Sequence, residues 1–301
     1  MSLLIGSIEL GIIYSLLVLG IYISFRILDV PDLTADGSFT FGMAVMAMSV
    51  TAGHPYLGVL LSLAAGSLAG LVTALLQTQL KIQPILAGIL TMTGLYSINL
   101  MVMQGTSNVA LLDTPTVFHA FSGLLAHEVP RKVLYSAVIV LIVIVFLEVF
   151  FKTNCGLCIR AIGDNERMAR ASSMNVNMYK IIAFMISNAL IGLSGGLIAC
   201  DQGFADMNSG VGMLIVGLAA VIIGEAIVRK RGILFGLIGC LVGSIAYRII
   251  LAVAIKSDFF PAYAMKLISA VVVVLALALP AWQNYRANQK LRKGDAHAGT
   301  E

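Results

Sequence analysis

The sequence predicts an all-α, polytopic membrane protein of about nine (eight to ten) transmembrane or partial helices, arranged as an inverted repeat. Three observations predict it. The 301 residues are 59% hydrophobic and only 11% charged, with mean hydropathy +0.97, whereas a soluble domain carries about a quarter charged residues. Apolar runs close to the roughly 20 residues that cross a bilayer recur along the chain, at about 3–27, 38–53, 56–80, 84–104, 132–151, 180–200, 210–228, 232–255 and 262–282. Lys and Arg gather in alternate connections, as cytoplasmic loops collect them.

Taken in order, the first run follows no basic stretch in residues 1–8, and no small-residue cleavage site precedes Arg26, so it is expected to remain as the first helix. The run 38–53 is short and follows the polar stretch Val30-Pro31-Asp32-Leu33-Thr34-Ala35-Asp36-Gly37. The run 210–228 is short too and follows a stretch from Asp201 to Ser209. Both read as partial or broken spans. Residues 105–131, with Asp113, His119 and Glu128, form a long outer loop, and 152–180 is the longest inner one. The last run ends at Trp282 and Tyr285, an interfacial belt. A basic tail, 283–301, follows with Arg286, Lys290, Arg292 and Lys293 and reads as a membrane anchor. A transmembrane domain therefore occupies 1–282, in halves of roughly 1–130 and 131–282.

Fourteen of the 19 basic residues fall on one face, from Arg26 and Lys81 through the 152–180 loop and Arg229, Lys230 and Arg231 to the tail. Arg131, Lys132, Lys256 and Lys266 fall on the other, and Arg248 lies within a span. The N-terminus is then outside and the C-terminus cytoplasmic. The repeat shows as Ala35-Asp36 before Gly42-Met43 and, 170 residues on, Ala205-Asp206 before Gly212-Met213. On this topology the two short segments run in opposite directions, an arrangement found where transporters place a substrate path between halves.

Several classes are excluded. The net charge of +4 is spread between apolar runs and not along one amphipathic face, which argues against nucleic acid. Cys155-x-x-Cys158 has neither a second pair nor flanking His, so no metal set is complete. There is no Walker A pattern to cradle ATP phosphates, no Ser-His-Asp constellation near a nucleophile elbow and no H-E-x-x-H pair. No catalytic residue, metal or cofactor is expected in this chain, and Glu225 and Arg229, four apart, read as a modest helix-supporting pair.

The candidates for a substrate path are Thr34, Asp36 and Ser38 in one half, and Asp206, Asn208 and Ser209 in the other. A helix N-terminus offers free N–H groups and a positive dipole end, which suit a carboxylate such as that of an amino acid; the alternative is that both aspartates are plain N-caps. Asn99 and Asn188 lie within spans, where an amide bonds a neighbouring helix or lines a cavity. Glu9 and Arg248 lie roughly 9–11 Å deep at about 1.5 Å per residue and are expected to form a structural ion pair, with snorkelling of Arg248 as the alternative. The 152–180 loop is either a short helix presented to a soluble partner or a solvated linker.

A resemblance sharpens these readings. The run Thr153-x-x-Gly156-x-x-x-Arg160-Ala161-x-Gly163-Asp164-Asn165, then Ala183-Phe184-x-x-Ser187-x-Ala189-x-x-Gly192-x-x-Gly195-Gly196, resembles the permease family that includes branched-chain amino acid and ribose importers. Ala219-x-x-Ile222-Ile223-Gly224 adds to it, and Pro31 to Phe39 is similar to the tryptophan-type and uncharacterised amino acid branch. The resemblance implies the membrane subunit of an ATP-binding-cassette importer in the bacterial inner membrane. Its partners would be a second permease copy, two cytoplasmic ATPases that bind ATP and Mg, and an external substrate-binding protein. It makes 152–180 the coupling loop, with Gly156, Arg160, Ala161, Gly163, Asp164 and Asn165 as its contact and turn residues. The implied function is inward translocation of a small polar solute, an amino acid or related compound, by alternating access. The alternatives are a stand-alone channel or facilitator, an importer for a sugar or nucleoside, and a membrane scaffold or enzyme.

Overall fold

The computed structural model describes residues 2–111, 114–118, 128–228, 232–256 and five positions between 270 and 278. Among these residues the first half comprises α1 (Ser2–Ile21, continued by a π-helical turn, Tyr22–Ile27), α2 (Ala35–Thr51), α3 (Pro55–Thr78), α4 (Pro84–Val102) and a short strand β1 (Asn108–Ala110). The second half comprises α5 (Glu128–Lys152), α6 (Asn154–Asp164), α7 (Glu166–Ala171), α8 (Val176–Gln202), β2 (Phe204–Asp206), α9 (Met213–Ile227) and α10 (Ile233–Lys256). Six helices are long and apolar enough to cross a membrane, and α9 is a shorter apolar helix. The chain is a polytopic, all-α membrane protein. Eight of the nine predicted runs are helical; the run 262–282 falls almost wholly outside the described residues, as do 119–127, Arg229, Lys230, Arg231 and the 283–301 tail.

Local sequence sets the boundaries. Pro55 and Pro84 open α3 and α4, at the position where a missing N–H costs nothing. The Asn175 side chain accepts from Met178 N at the start of α8, and Gly203, with φ +76°, closes that helix in the left-handed conformation.

α1 and α8 form the centre: 78% of the best spanning window of each is buried, against 22% for α5 and 28% for α4. With little hydrophobic drive between helices in lipid, close packing and interhelical hydrogen bonds hold such a bundle. Serine hydroxyls supply three of these bonds, from Ser187 to Gly20 O at 2.7 Å, Ser194 to Ile13 O at 3.1 Å and Ser244 to Gly11 O at 2.7 Å. Small residues let the backbones meet. A Cβ on Gly42 would run into the Gly192 backbone, and one on Gly224 into that of Gly239.

The packing has a reciprocal pattern. α3 and α2 pack on α8, while α10 and α9 pack on α1; α2 packs on α3, and α9 on α10. Exchanging α1 with α8, α2 with α9 and α3 with α10 leaves these neighbours unchanged.

The predicted Glu9–Arg248 pair is not what the structure contains. The Arg248 guanidinium lies over the Tyr14 ring, 3.6 Å from its centroid, and Glu9 instead lies against Asp201 and Lys132. Five residues on a helix amount to roughly 140° of rotation at about 3.6 residues per turn, so the face of α1 that carries Tyr14 to α10 turns Glu9 away. Lys132 bridges to Asp201 at 2.9 Å.

Candidate functional site

Two irregular segments, 28–34 and 203–212, interrupt the bundle, and each leads into a short helix, of 17 residues in α2 and 15 in α9. Ser38, in the second turn of α2, meets Asn188, the thirteenth residue of the 27-residue α8. α2 therefore begins near mid-depth. From there it runs toward the end of α8, where Met46 lies against Gly196. α9 begins at the same depth, because the Asp36 carboxylate accepts from Gly212 N at 2.9 Å and Leu214 N at 2.8 Å. It runs the opposite way, to the end of α1, where Arg26 Nε donates to Glu225 Oε1 at 2.7 Å.

Two helix N-termini, each with free N–H groups and a positive dipole end, are thus joined by one carboxylate. Asp36 does not cap its own helix; it caps α9 from across the repeat. Asp206 heads no helix either. It sits in β2, paired with Asn108 of β1, and accepts from Asn208 N at 2.7 Å in a local turn. Gly212, with φ +87°, separates that turn from α9. The expectation that Asp206 and Asn208 open a helix is corrected: the polar stretch is spent on a strand and turns.

The remaining candidates fall into one buried network. Asn188 Nδ2 donates to Asp32 Oδ2 at 2.6 Å, Ser38 Oγ donates to Asn188 Oδ1 at 2.7 Å, and Thr34 N donates to Asp32 Oδ1 at 2.9 Å. The Thr34 and Thr73 hydroxyls share a hydrogen bond of 2.7 Å. Non-helical backbone is tolerated at membrane depth only where protein encloses it, and this network encloses 28–34. Asp32 and Thr73 were missed from sequence. The Asp32–Thr34 turn had a signal, an Asp two residues before the N–H it accepts; Thr73, in α3, had none.

Asn99, 2% exposed, has an amide oxygen without a hydrogen-bond partner. It lines a cavity of about 290 Å³ between α2, α4 and the 207–211 segment, together with Asp36, Met92, Tyr96, Met207 and Val211. A second cavity, of about 560 Å³, lies at the other end of α9, where Arg26, Glu225 and Asp29 meet Arg160, Gly163 and Asp164 of α6.

The 152–180 loop holds two helices. Thr153 caps α6, accepting from Gly156 N at 3.3 Å, and Asn165 caps α7, accepting from Met168 N at 3.0 Å. Gly156 and Gly163 lie inside α6 and do not bound it. They serve close approach: a Cβ on Gly156 would meet the Phe150–Phe151 backbone, and one on Gly163 the Ile27 carbonyl at the end of the π-helical turn. Ile159 and Ile162 are buried, Ala161 is half-buried, and Leu157, Arg160, Asp164 and Asn165 are exposed. Lys180 Nζ at 2.8 Å and Arg170 hold the Glu166 carboxyl below its ordinary value. Cys155 and Cys158 are free thiols, and burial pushes Cys155 up. Glu225 takes Arg26 as a partner, and its expected partner Arg229 lies outside the described residues.

Comparison with known proteins gives the family. Residues 3–277 match the family described as branched-chain amino acid transport system / permease component. The chain is 39% identical, over 92% of its length and 91% of the relative's, to a tyrosine transport system permease protein of Clostridioides difficile. It is 28% identical to a galactofuranose transporter permease protein of Escherichia coli, over 82% and 70% of the two chains. It is 24% identical to a ribose import permease protein of Haemophilus influenzae, over 86% and 78%. No solved structure matches. The long match across both halves, including the half-helices and α6, makes this chain a member of the branched-chain amino acid transport system / permease component family, an importer permease for a small solute.

Proposed function

We propose that this permease carries an amino acid or related small polar solute inward by alternating access, driven by two cytoplasmic ATPases and supplied by an external binding protein, as a pair of identical permease chains. The observation that carries the reading is the Asp36 bridge, which joins the N-termini of α2 and α9 near mid-depth beside a cavity. Half-helices whose N-termini meet at the middle of the membrane are the places where transporters built from inverted repeats hold solute. The reciprocal packing of α1–α2–α3 and α8–α9–α10 supports such a repeat. The tyrosine transport relative favours an amino acid over the sugars named for the others.

The transmission route follows from three contacts. α6 presents Leu157, Arg160 and Asp164 outward, a mixed apolar and charged face suited to a groove on an ATPase. Gly163 brings α6 against the Ile27 carbonyl with no side chain between them, so a displacement of α6 reaches the end of α1 directly. Arg26, on the same π-helical turn, holds Glu225 on α9, and a π-helical turn is a frequent feature of functional sites. α9 is then a rod clamped at one end by Arg26 and at the other by Asp36, and it moves as a rigid body when either clamp yields. The basic residues Arg26 and Arg160 meet at one cavity, which supports a cytoplasmic position for that face and an outer position for the N-terminus.

Reconstitution in proteoliposomes with the partner ATPases and binding protein tests the reading. Uptake should require ATP hydrolysis. Uptake that persists when the ATPase is inactivated would overturn it in favour of a facilitator.

A further inference from the structure

Cys155-x-x-Cys158 is the one sequence motif that solute transport leaves without a role. Both cysteines fall in the first two turns of α6, three residues apart, as half-buried free thiols. Residues three apart on a helix share a face, with Cβ atoms about 5–6 Å apart. A disulfide needs them at about 3.5–4.5 Å. Joining the two sulfurs therefore requires the start of α6 to tighten toward a 3₁₀ turn, in which side chains three apart eclipse and which is frequent at helix N-termini.

The start of α6 is built so that such a change is both allowed and felt. Its cap bond, from Gly156 N to Thr153 Oγ1, is 3.3 Å long, beyond the usual range of about 2.7–3.2 Å, so the first turn gives at little cost. Gly156, between the two cysteines, lies so close to the Phe150–Phe151 backbone that a Cβ there would collide with it. A tightened turn thus pulls on the point where α6 is seated on α5, and Gly163 passes the displacement to the Ile27 carbonyl at the other end.

The pair also lies apart from the docking face. At roughly 100° of rotation per residue, Cys155 and Cys158 stand about 100° or more around α6 from the exposed Leu157, Arg160 and Asp164. Cys158 instead meets the Tyr179 hydroxyl of α8. Cys200 and Cys240 are buried, so the α6 pair holds the thiols that a reagent in water reaches. Burial, with the Cys158 sulfur adding to it, pushes the Cys155 thiol up. Cys155 is then slow to open an exchange and suits the second step, in which a thiol already beside a mixed disulfide has only to close the ring.

We propose that Cys155 and Cys158 form a reversible modification site that takes a small-molecule disulfide as its oxidant and, once closed, weakens the coupling of α6 to the transport helices. The Cys158 thiolate attacks the small disulfide, whose S–S bond breaks and whose leaving thiolate takes the Cys158 proton. Cys155 then attacks the mixed disulfide at Cys158, and its proton goes to the second leaving thiolate. Two protein thiols are oxidised to one disulfide while one small disulfide is reduced to two thiols. This rests on the importer reading above, in which α6 faces the cytoplasm and meets an ATPase, and cytosolic disulfides are characteristically transient and redox-sensing.

The test exposes the assembled importer, reconstituted in proteoliposomes, to oxidised glutathione on the α6 side, caps the remaining thiols with iodoacetamide and digests the chain with trypsin. Lys152 and Arg160 bound a peptide, 153–160, that holds both cysteines. That peptide should emerge uncapped and two hydrogens lighter than the dithiol. ATP-driven uptake should fall threefold or more while ATP hydrolysis continues, and dithiothreitol should restore the dithiol and the uptake together. The double variant Cys155→Ser with Cys158→Ser should keep its uptake under the same treatment. Two capped thiols, or a peptide that retains glutathione, would overturn the site. A closed peptide with undiminished uptake, or equal inhibition of the double variant, would overturn its effect on coupling. The reduced complex reports separately on the importer reading: uptake without ATP dependence there rejects that reading, while the peptide mass still decides whether the pair closes.

Discussion

The segments 28–34 and 203–212 occupy equivalent places in the two halves, each turning back from the end of a central helix to start a half-helix near mid-depth, yet they are held in opposite ways. The first is locked. Asp32 and Thr34 are 1% and 0% exposed, and their polar groups are satisfied by Asn188, Thr73 and the segment's own backbone. The second is open. Phe204, Asn208 and Val211 are exposed, its strand pairs with only three residues of β1, and the helix it leads to is held at its start by Asp36 from the other half. The difference teaches where motion is available. Regions with few buried contacts and exposed hydrogen bonds open at lower free energy than the core, so under the proposed alternating access the first segment would be the frame against which α9 and 203–212 move.

The largest effect should come from breaking the locked side. Asp32→Ala leaves Asn188 Nδ2 without one acceptor and Thr34 N without its own, and each unsatisfied buried group costs about 1–3 kcal/mol. Thermal unfolding of the purified permease, followed by size exclusion in detergent, should show a loss of about 3 kcal/mol or more in stability. An unchanged unfolding temperature would mean that 28–34 is not the frame.

Next comes the bridge between the halves. Asp36→Ala removes two hydrogen bonds, but the Gly212 and Leu214 N–H groups it frees lie on a part-buried segment where water can take the place of the carboxylate. Folding should survive, with a smaller stability loss than for Asp32→Ala, while ATP-driven uptake falls tenfold or more. Asp206→Ala should leave uptake within twofold, since the Asp206 carboxylate serves a local turn and a long contact to Asn108 at 3.5 Å and no helix terminus. Equal losses at Asp36 and Asp206 would erase the asymmetry between the halves.

The sequence carried the class and the outline of this comparison but not its asymmetry. Composition, the apolar runs and the spacing of Lys and Arg gave the helices, and the shortness of 38–53 and 210–228 located both half-helices. Those signals are local or statistical, so they are written in consecutive residues. Which carboxylate serves which helix is a matter of contacts between residues 176 positions apart, as from Asp36 to Gly212, and the matching Ala-Asp pairs made two unlike residues look equivalent. Glu9 and Arg248 failed for a related reason: depth along a helix is legible from sequence, but the face each residue takes depends on which neighbour packs there. Thr34, Ser38 and Asn188 were visible as polar groups in apolar surroundings. Asp32, which accepts from Thr34 N and Asn188 Nδ2 and lies in the same polar stretch as Thr34, was not singled out because loop polarity is ordinary.

A smaller effect is expected at the inner clamp. Arg26 is 49% exposed and Glu225 22%, and an exposed pair contributes roughly 0.2–1 kcal/mol, so Arg26→Ala or Glu225→Ala should barely change stability. If Arg26 transmits α6 displacement to α9, solute moved per ATP hydrolysed should nevertheless fall threefold or more, and the exchanged pair Arg26→Glu with Glu225→Arg should recover part of it. Uptake and hydrolysis falling in proportion would place the clamp outside the route and leave the Asp36 end as the controlling one.

The smallest effect concerns how the coupling loop is tied to the frame. Glu166 accepts from Arg170 within α7 and from Lys180 on α8, so α7 is stapled to the central helix while α6 abuts α1. The bonds to Lys180 and Arg170 hold the carboxyl below its ordinary 4.5. A depressed value means stability fully present above about pH 4.5 and lost as pH falls through the folded value. Because the Glu166 side chain is 40% exposed, solvent screening keeps the contribution under about 1 kcal/mol. Amide exchange in 166–172, corrected for its intrinsic pH dependence, should therefore quicken modestly below pH 4.5, and Glu166→Gln should exchange at that faster level at neutral pH. If α6 quickens equally with α7, the two helices open as one unit, and α6 then moves together with its tether, not against it.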